Sequence, residues 1–531
     1  MTTRRDFLKA AYLAGGIVLL DHRRSWAGTA ATPYFGLHDF VLSHPEAVFV
    51  LRTGVDLKTN ADAIRQVGFQ LGSALFVGRD DSANAFAIDA QVVFKPNITA
   101  WFADIPPPDP EQTMGIQTDP DFIEGLIQSL NGLGVANHNV AIREANYAAG
   151  RVDGEWYAAL AQRTGVNLVD SLPLGTIPDA SLQWVTVPGG VWYGRIPYLA
   201  PVNVPGSCLL NVSKLKSHAM GMTLCAKNLQ GTNAVPYVRY CSALSSDYGF
   251  NPADIVPDAR TTIYNNYVRH RDAGIPRWDV PGESTGGLWQ ETHASRCLDN
   301  IAVTHPMINI IEGIYGREGS HVGGPADNGG YARDIMTNIV IFGINALHVD
   351  MIGAYLAGHE PGNFGLYHLA VERGLSLYLN PRDIPLYEWH VDGSAEVSSL
   401  SGFPRTPIRT TYLQKAGEEQ YHLVNEPYDY GSTGTKKPPG HGQPDVFVLA
   451  QNYPNPFNPS TSIRYYIPQS GHVRVEIFDV RGELVEVLVD AFTPAGDHVQ
   501  VWDAHRRASG SYICRLSYRG MHLTKSMVLV R

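Results

Sequence analysis

Residues 121–143 read DFIEGLIQSLNGLGVANHNVAIR, and this stretch decides the fold. Phe122, Leu126, Ile127 and Leu130 recur at the interval of one helix face, which predicts a helix over Asp121–Leu133. A glycine-containing turn follows, and Val140–Arg143 then reads as a strand. Ahead of this unit, Ala47–Leu51 and Ala90–Phe94 are apolar runs of strand length. Strands alternating with helices predict an α/β domain over residues 40–415, built as a mostly parallel sheet with flanking helices. Ligands of such sheets bind where strand carboxyl ends open into loops, so the residues that close each apolar run are the ones to search for chemistry.

Beyond that domain the character of the chain changes. Residues 425–444 read NEPYDYGSTGTKKPPGHGQP, almost without aliphatic side chains, and predict a linker over 425–445. From 446 to 531 short alternating segments take over: Thr461–Ile467, Val473–Phe478, Leu484–Val489, His498–Trp502, Tyr512–Tyr518 and Thr524–Val530. Turn residues such as Arg481-Gly482 and Ser509-Gly510 separate them, which predicts an all-β, immunoglobulin-like sandwich with Trp502 and Tyr512 in its core. At the other end Thr3-Arg4-Arg5-Asp6-Phe7-Leu8-Lys9 leads into the apolar run Ala10–Leu20 and then Ser25-Trp26-Ala27. Residues 1–27 therefore read as a twin-arginine signal peptide addressed to the twin-arginine translocase. Its apolar run is too short for a bilayer core of about 30 Å, and no later run has spanning length, so no membrane span is expected in the mature chain.

Composition narrows the function. The 531 residues are 44 % hydrophobic and 17 % charged, which is globular composition for several domains. Net charge is −10, and residues 1–27 hold five Arg or Lys against two Asp, so the remainder carries −13. With no clustered basic face, no nucleic acid partner is expected. The five cysteines, Cys208, Cys225, Cys241, Cys297 and Cys514, include no CxxC pair, which argues against a disulfide framework, a Cys-rich zinc site or an iron–sulfur cluster. One bridge among the first four stays open after export.

Four stretches carry candidate chemistry. Phe94-Lys95-Pro96-Asn97 closes the second strand, where proline keeps Lys95 extended and lets Lys95 and Asn97 project from the strand end. Ser207–Val212 is an apolar strand running into Lys214-Leu215-Lys216-Ser217-His218, whose alternation places Lys214, Lys216 and His218 on one face. Lys227 and Asn228 follow shortly, and this density of ammonium groups suits a small anionic ligand, a carboxylate or phosphate. Glu312–Pro325 reads as a polar glycine-rich loop after the apolar segment Met307–Ile311. Asp350 is an acid inside an apolar helix and needs a partner: a lysine, an amide or a metal.

In this order the stretches resemble the domain of unknown function 362 family. The carriers are Phe94-Lys95-Pro96-Asn97, Gly132-Leu133-Gly134, Lys214 to His218, Lys227-Asn228 with Gly231, Glu312-Gly313 with Gly323-Gly324-Pro325, and Val349-Asp350 with Gly353-Ala354. The resemblance implies a site built on Lys95, Lys214, Lys216, His218 and Lys227 and implies no particular reaction. Many members carry a ferredoxin-like cysteine cluster, from which this chain departs, so no iron–sulfur cluster is expected. Leu449-Ala450-Gln451-Asn452-Tyr453-Pro454-Asn455-Pro456-Phe457-Asn458-Pro459 and the strands after it are similar to the C-terminal sorting domain of type IX secretion clients, itself similar to the immunoglobulin-like domain of the flagellar hook-assembly protein FlgD. That resemblance implies the type IX secretion machinery as a partner and a route through the periplasm to the exterior or the cell surface.

Two functions follow as expectations. In the first, an exported domain binds or transforms a small anion: Lys95, Asn97, Lys214, Lys216, Lys227 and Asn228 hold it, His218 acts as general acid or base, and Asp350 orients a partner. A variant adds a metal on His218, His321 and Asp350. In the second, the domain is a non-catalytic binding protein of the cell envelope.

Overall fold

The computed structural model describes residues 33–410, except 83, 99–113, 146–154, 171–176, 219, 235–236, 238–250 and 281–285. It also describes 426–430, and 448–530 except 450–451, 453–454, 456, 468–470 and 494–495. Residues 1–27, read as a signal peptide, lie outside the described residues.

A 10-stranded sheet organises the larger part. In chain order its strands are β1 (Val48–Arg52), β2 (Val92–Pro96), β3 (Val140–Glu144), β4 (Asn167–Asp170), β5 (Cys208–His218), β6 (Gly221–Thr223), β7 (Ile308–Gly323), β8 (Tyr331–Gly343), β9 (Leu386–Trp389) and β10 (Ala395–Val397). Their spatial order is β10-β9-β1-β8-β7-β5-β2-β3-β4, with β6 paired to β5. The run β7-β5-β2-β3-β4 is parallel throughout, and β8 turns back antiparallel between β7 and β1. The helices that matter below are α1 (Ala61–Leu75), α2 (Pro120–Gly132), α3 (Glu155–Thr164), α4 (Cys225–Asn228), α5 (Ala259–Asp272), α6 (Gly287–Ile301), α7 (Ala346–Leu356) and α8 (Gly365–Glu372).

Because side chains alternate across a strand, the sheet feeds two cores. Phe49, Phe94, Val212, Ile310 and Phe342 pack with α1, α2 and α3 on one face. Val48, Val50, Ile311 and Ile341 pack with α6, α7 and α8 on the other. Helix α2 starts where Asp119 accepts the Asp121 N–H with proline in the first turn. It meets α1 without side chains between them at Gly68 and Gly125: a Cβ on Gly68 would lie 2.2 Å from the Phe122 carbonyl oxygen.

The sequence reading and the structure differ in two places. Glu312–Pro325, expected as a glycine-rich loop, is mostly the outer half of β7, since β8 supplies a partner across two register shifts that absorb the glycines. Within the stretch expected as linker, Glu426–Tyr430 is docked on the chain around Gly362: Asn363 Nδ2 donates to the Glu426 carbonyl oxygen at 2.9 Å, and Gly362 N–H donates to Tyr430 Oη at 3.1 Å.

The C-terminal strands form two antiparallel sheets consistent with a β-sandwich. One is β11 (Val448–Leu449), β12 (Ser460–Ile467) and β15 (Gly496–Asp503); the other is β13 (Gly471–Asp479), β14 (Leu484–Thr493), β16 (Gly510–Tyr518) and β17 (Met521–Leu529). Burial alternates residue by residue along β12, and Phe457, Ile463, Val475, Trp502, Leu516 and Met527 share the core. Asn455 pins the entry to it by accepting the Val528 N–H at 2.7 Å.

Candidate functional site at the carboxyl edge of the sheet

Lys95 on β2, Asn211 on β5 and Asn309 on β7 are direct register partners and make one polar row across the sheet. Their face is opposite to that of Phe94, Leu210 and Ile310, and α4 lies over them. Asn228 of α4 donates through Nδ2 to Asn211 Oδ1 at 2.8 Å and to the Lys95 carbonyl oxygen at 2.9 Å. Asn211 Nδ2 donates onward to Asn309 Oδ1 at 2.8 Å. Lys95 Nζ donates to Glu144 Oε2 at 2.8 Å, to Asn228 Oδ1 at 3.1 Å and to the Pro96 carbonyl oxygen at 2.5 Å. Asn97 Nδ2 reaches the same Asn228 oxygen at 3.3 Å. Burial pushes the Lys95 ammonium down and the Glu144 carboxyl up, and their mutual pairing opposes both shifts. Gly231 closes over this pair: a Cβ there would lie 2.0 Å from Glu144 Oε1 and 2.7 Å from Lys95 Cε.

The other face carries a second, fully buried network. Lys214 Nζ donates to Glu312 Oε2 at 2.5 Å and sits 3.2 Å above the centre of the Tyr315 ring. Glu312 also accepts the Asp119 N–H at 3.2 Å and the Ile314 N–H at 3.1 Å, while Tyr315 Oη donates to Asp119 Oδ2 at 2.6 Å. Burial, then the Glu312 charge, pushes Asp119 up to about 6 against the pull of Lys214. Lys216 reaches the same bordering segment, donating to the Ile116 carbonyl oxygen at 2.7 Å. Lys214 and Lys216 thus lie on one face and Lys95 on the opposite one.

The two networks meet at the carboxyl edge of the sheet. Burial first, and then the positive charges of Lys227, Arg317 and Lys214, drive Lys216 well below the usual lysine range, with Glu144 pulling the other way. Lys227, on α4, is half-buried and makes no hydrogen bond or ion pair among the described residues. It lines a cavity of about 20 Å³, room for a water molecule, together with Met220, Met222, Gln290, His293 and Asp350. His293 is buried, and burial, then Lys227 and Arg296, lowers it to about 3, so it is a neutral imidazole at physiological pH.

His218 and Asp350 are drawn to separate partners. The partner Asp350 needs is a pair of amides: its carboxylate oxygens accept the Cys225 N–H at 2.6 Å and the Ala226 N–H at 2.8 Å. It caps α4, a helix of one turn whose N-terminal donors would otherwise be orphaned in the core. Burial raises Asp350 to about 7 against those hydrogen bonds. His218 Nδ1 accepts the Met220 N–H at 3.0 Å. The His321 side chain lies outside the described residues, and among those described no group of three His, Cys, Asp or Glu side chains could hold a metal ion. Burial, then Asp350, raises the Cys225 thiol far above its usual range. Cys208, Cys225 and Cys297 are free thiols, and Cys241 lies outside the described residues.

Glu144, Glu312 and His293 belong to this site and carried no role in the sequence reading. Glu144 follows directly on the expected strand Val140–Arg143, at the strand end where ligands bind, so the strand-end rule would have found it. His293 follows Gln290 by three residues, one helical turn, and Gln290, His293 and Ala294 all line the cavity.

Residues 92–355 match the family model described as a domain of unknown function, DUF362, a span that holds Lys95, Lys214, Lys216, Lys227 and Asp350. Residues 451–530 match the model described as a secretion system C-terminal sorting domain, which implies the type IX secretion machinery and a secreted or cell-surface protein. No curated protein matches the chain. Among the described residues no helix is long and apolar enough to cross a membrane. The chain carries a domain of the DUF362 family over residues 92–355 and ends in a secretion system C-terminal sorting domain over residues 451–530.

Proposed function

We propose that the α/β domain binds a small carboxylate or phosphate at the carboxyl edge of the sheet, with Lys227 as the ligand-facing cation. The supporting observation is the charge balance of the site. Lys95 uses Glu144, Lys214 uses Glu312, and Lys227 is left half-buried beside a cavity without an ion-paired counter-charge among the described residues. A bound anion supplies that charge, and Asn97, Asn228 and Lys216 border the same edge. The cavity is smaller than such a ligand, and Met220 and Met222 form the wall that yields, since methionine repacks at little cost. The test is a thermal-shift titration of the full exported chain with inorganic phosphate, acetate and pyruvate, beside native mass spectrometry for a co-purifying anion. Saturable stabilisation by at least one anion that disappears in Lys227→Met is expected. Equal shifts in both proteins would overturn the reading.

A second reading, a non-catalytic binding protein of the cell envelope, is favoured by one observation: the acid and base candidates Asp350 and His218 are both engaged by backbone amides. Retention of the stabilising anion unchanged after prolonged incubation selects this reading over an enzyme.

For export we propose that residues 1–27 engage the twin-arginine translocase and that the sorting domain acts afterwards, from the periplasm. Replacing Arg4 and Arg5 by lysine is expected to hold the precursor in the cytoplasm, whereas deleting 451–530 is expected to leave the chain in the periplasm. Normal export of the Arg4→Lys/Arg5→Lys protein would rule out the first step.

A further inference from the structure

The cavity beside Lys227 holds two polar side chains with poor partners. Gln290 and His293, one turn apart on α6, both line it and are 3 % and 2 % exposed. Gln290 Nε2 donates to Met220 Sδ at 3.6 Å, and His293 Nε2 lies 3.6 Å from Cys297 Sγ. Among the described residues neither side chain has a nitrogen or oxygen partner. Sulfur is a weak hydrogen-bonding atom, so a buried amide and a buried imidazole resting on it keep most of their bonding capacity for something else. Met220 belongs to the wall that gives way to a ligand, and its displacement frees the Gln290 amide.

The lining carries little charge. Lys227 is its one cation among the described residues, and His293 is a neutral ring. Asp350 borders the same space with its oxygens committed to the Cys225 and Ala226 amides. A ligand with one negative charge meets Lys227, whereas a second charge finds no further cation and faces Asp350. Much of the remaining wall is apolar, with Met222, Ala294, Phe364 and Leu366. We propose that the cavity takes a short-chain monocarboxylate, its head group held by Lys227, Gln290 and His293 and its alkyl chain set against Met222, Phe364 and Leu366. The proposal rests on the anion-binding reading and narrows its ligand to a carboxylate. Gln290 and His293 each offer an N–H donor without adding charge, which suits a monoanion better than phosphate, a group that takes on its second charge near neutral pH.

The experiment measures dissociation constants of the full exported chain for acetate, propionate, butyrate and inorganic phosphate by calorimetric titration at about pH 8, where phosphate is mostly a dianion. Affinity is expected to rise about threefold to fourfold with each added methylene, the transfer of one CH2 into an apolar wall, and to be weakest for phosphate. Gln290→Leu should weaken every carboxylate about tenfold or more, the loss of a hydrogen bond to a charged group, and His293→Phe should do the same. If neither variant folds, the ligand series on the unaltered protein decides alone. Phosphate binding as tightly as butyrate, a flat series from acetate to butyrate, or unchanged carboxylate affinity in folded Gln290→Leu and His293→Phe would overturn the proposal. Each of these leaves the anion-binding reading standing as long as Lys227→Met abolishes the binding that remains. A protein that none of the four anions binds refutes both.

Discussion

The two folded parts of this chain bury different things. The sandwich closes over Phe457, Ile463, Val475, Trp502, Leu516 and Met527, and the one buried charge among its described residues, Glu476, answers Arg515 at 2.7 Å and Arg474 at 3.1 Å at the sheet surface. The α/β domain takes Lys95, Lys214, Lys216, Asp119, Glu144, Glu312 and Asp350 out of water within one edge of its sheet. Desolvating an ion costs several kcal/mol, and apolar replacements are often as stable, so this concentration is not explained by stability. The sandwich is built as an apolar core that presents a surface, whereas the α/β domain spends stability to hold charge in fixed places.

The contrast can be broken in four ways. The largest effect is expected from Glu312→Gln, which leaves Lys214 buried without a counter-charge: about 3–5 kcal/mol lost in the unfolding of the α/β domain by denaturant. The double replacement Lys214→Met/Glu312→Leu should recover most of it, and a loss under about 1 kcal/mol in Glu312→Gln would mean that the pair is not desolvated. In the sandwich, Leu516→Ala should cost about 2–5 kcal/mol and lower only the sandwich transition. If the α/β transition moves equally, the two parts unfold as one and the comparison fails.

The third prediction concerns pH. His270 on α5 bonds Glu291 of α6 at 2.6 Å and Glu372 of α8 at 2.9 Å. Burial works against the charged ring, but these hydrogen bonds outweigh it and raise His270 to about 9 from an unfolded value near 6.5. A raised folded value means that the folded state holds the proton more tightly. The stabilisation is therefore complete below about pH 6.5 and is lost as pH rises through about 9. Denaturation midpoints of the α/β transition from pH 6 to pH 10 should fall in the natural protein and much less in His270→Gln, with the sandwich transition as internal reference. The smallest effect is expected from Lys227→Met: a change within about 0.5 kcal/mol, because among the described residues the ammonium has no hydrogen bond or ion pair to lose. A large destabilisation would make Lys227 structural and remove the reason to give it a ligand.

Much of the architecture was legible because it is periodic. Helical spacing placed α2 within a residue of its observed ends, and alternation placed the six principal strands of the sandwich to within three residues or so at most ends. Period-two counting also put Lys214 and Lys216 on one face, where Lys216 reaches the Ile116 carbonyl oxygen and Lys214 reaches Glu312, which accepts the Asp119 N–H. What failed to show is what depends on long-range closure. Lys214 meets Glu312 across 98 residues of sequence, Asp350 meets Cys225 across 125, and no local pattern announces either partner. The glycines of Glu312–Pro325 looked like a loop because pairing with β8 is supplied by the fold and leaves no trace in local propensity. The expectation for Asp350 was right about need and undecided about supplier: the need follows from burial, whereas the amides come from a helix whose single turn is itself too short to read from spacing.

Glu426–Tyr430 has a bearing on how the two parts can be separated. The Tyr428 ring occupies the space a side chain at Gly362 would need, 2.1 Å from that position, and Tyr430 accepts the Gly362 amide. The sequence from 425 to 445 is uniformly poor in aliphatic residues, but its first tyrosines are structural parts of the larger domain. Proteolytic removal of the sorting domain that spares the larger one therefore has to cut after Tyr430; a cut before Glu426 would strip two aromatic rings from a surface shaped to receive them.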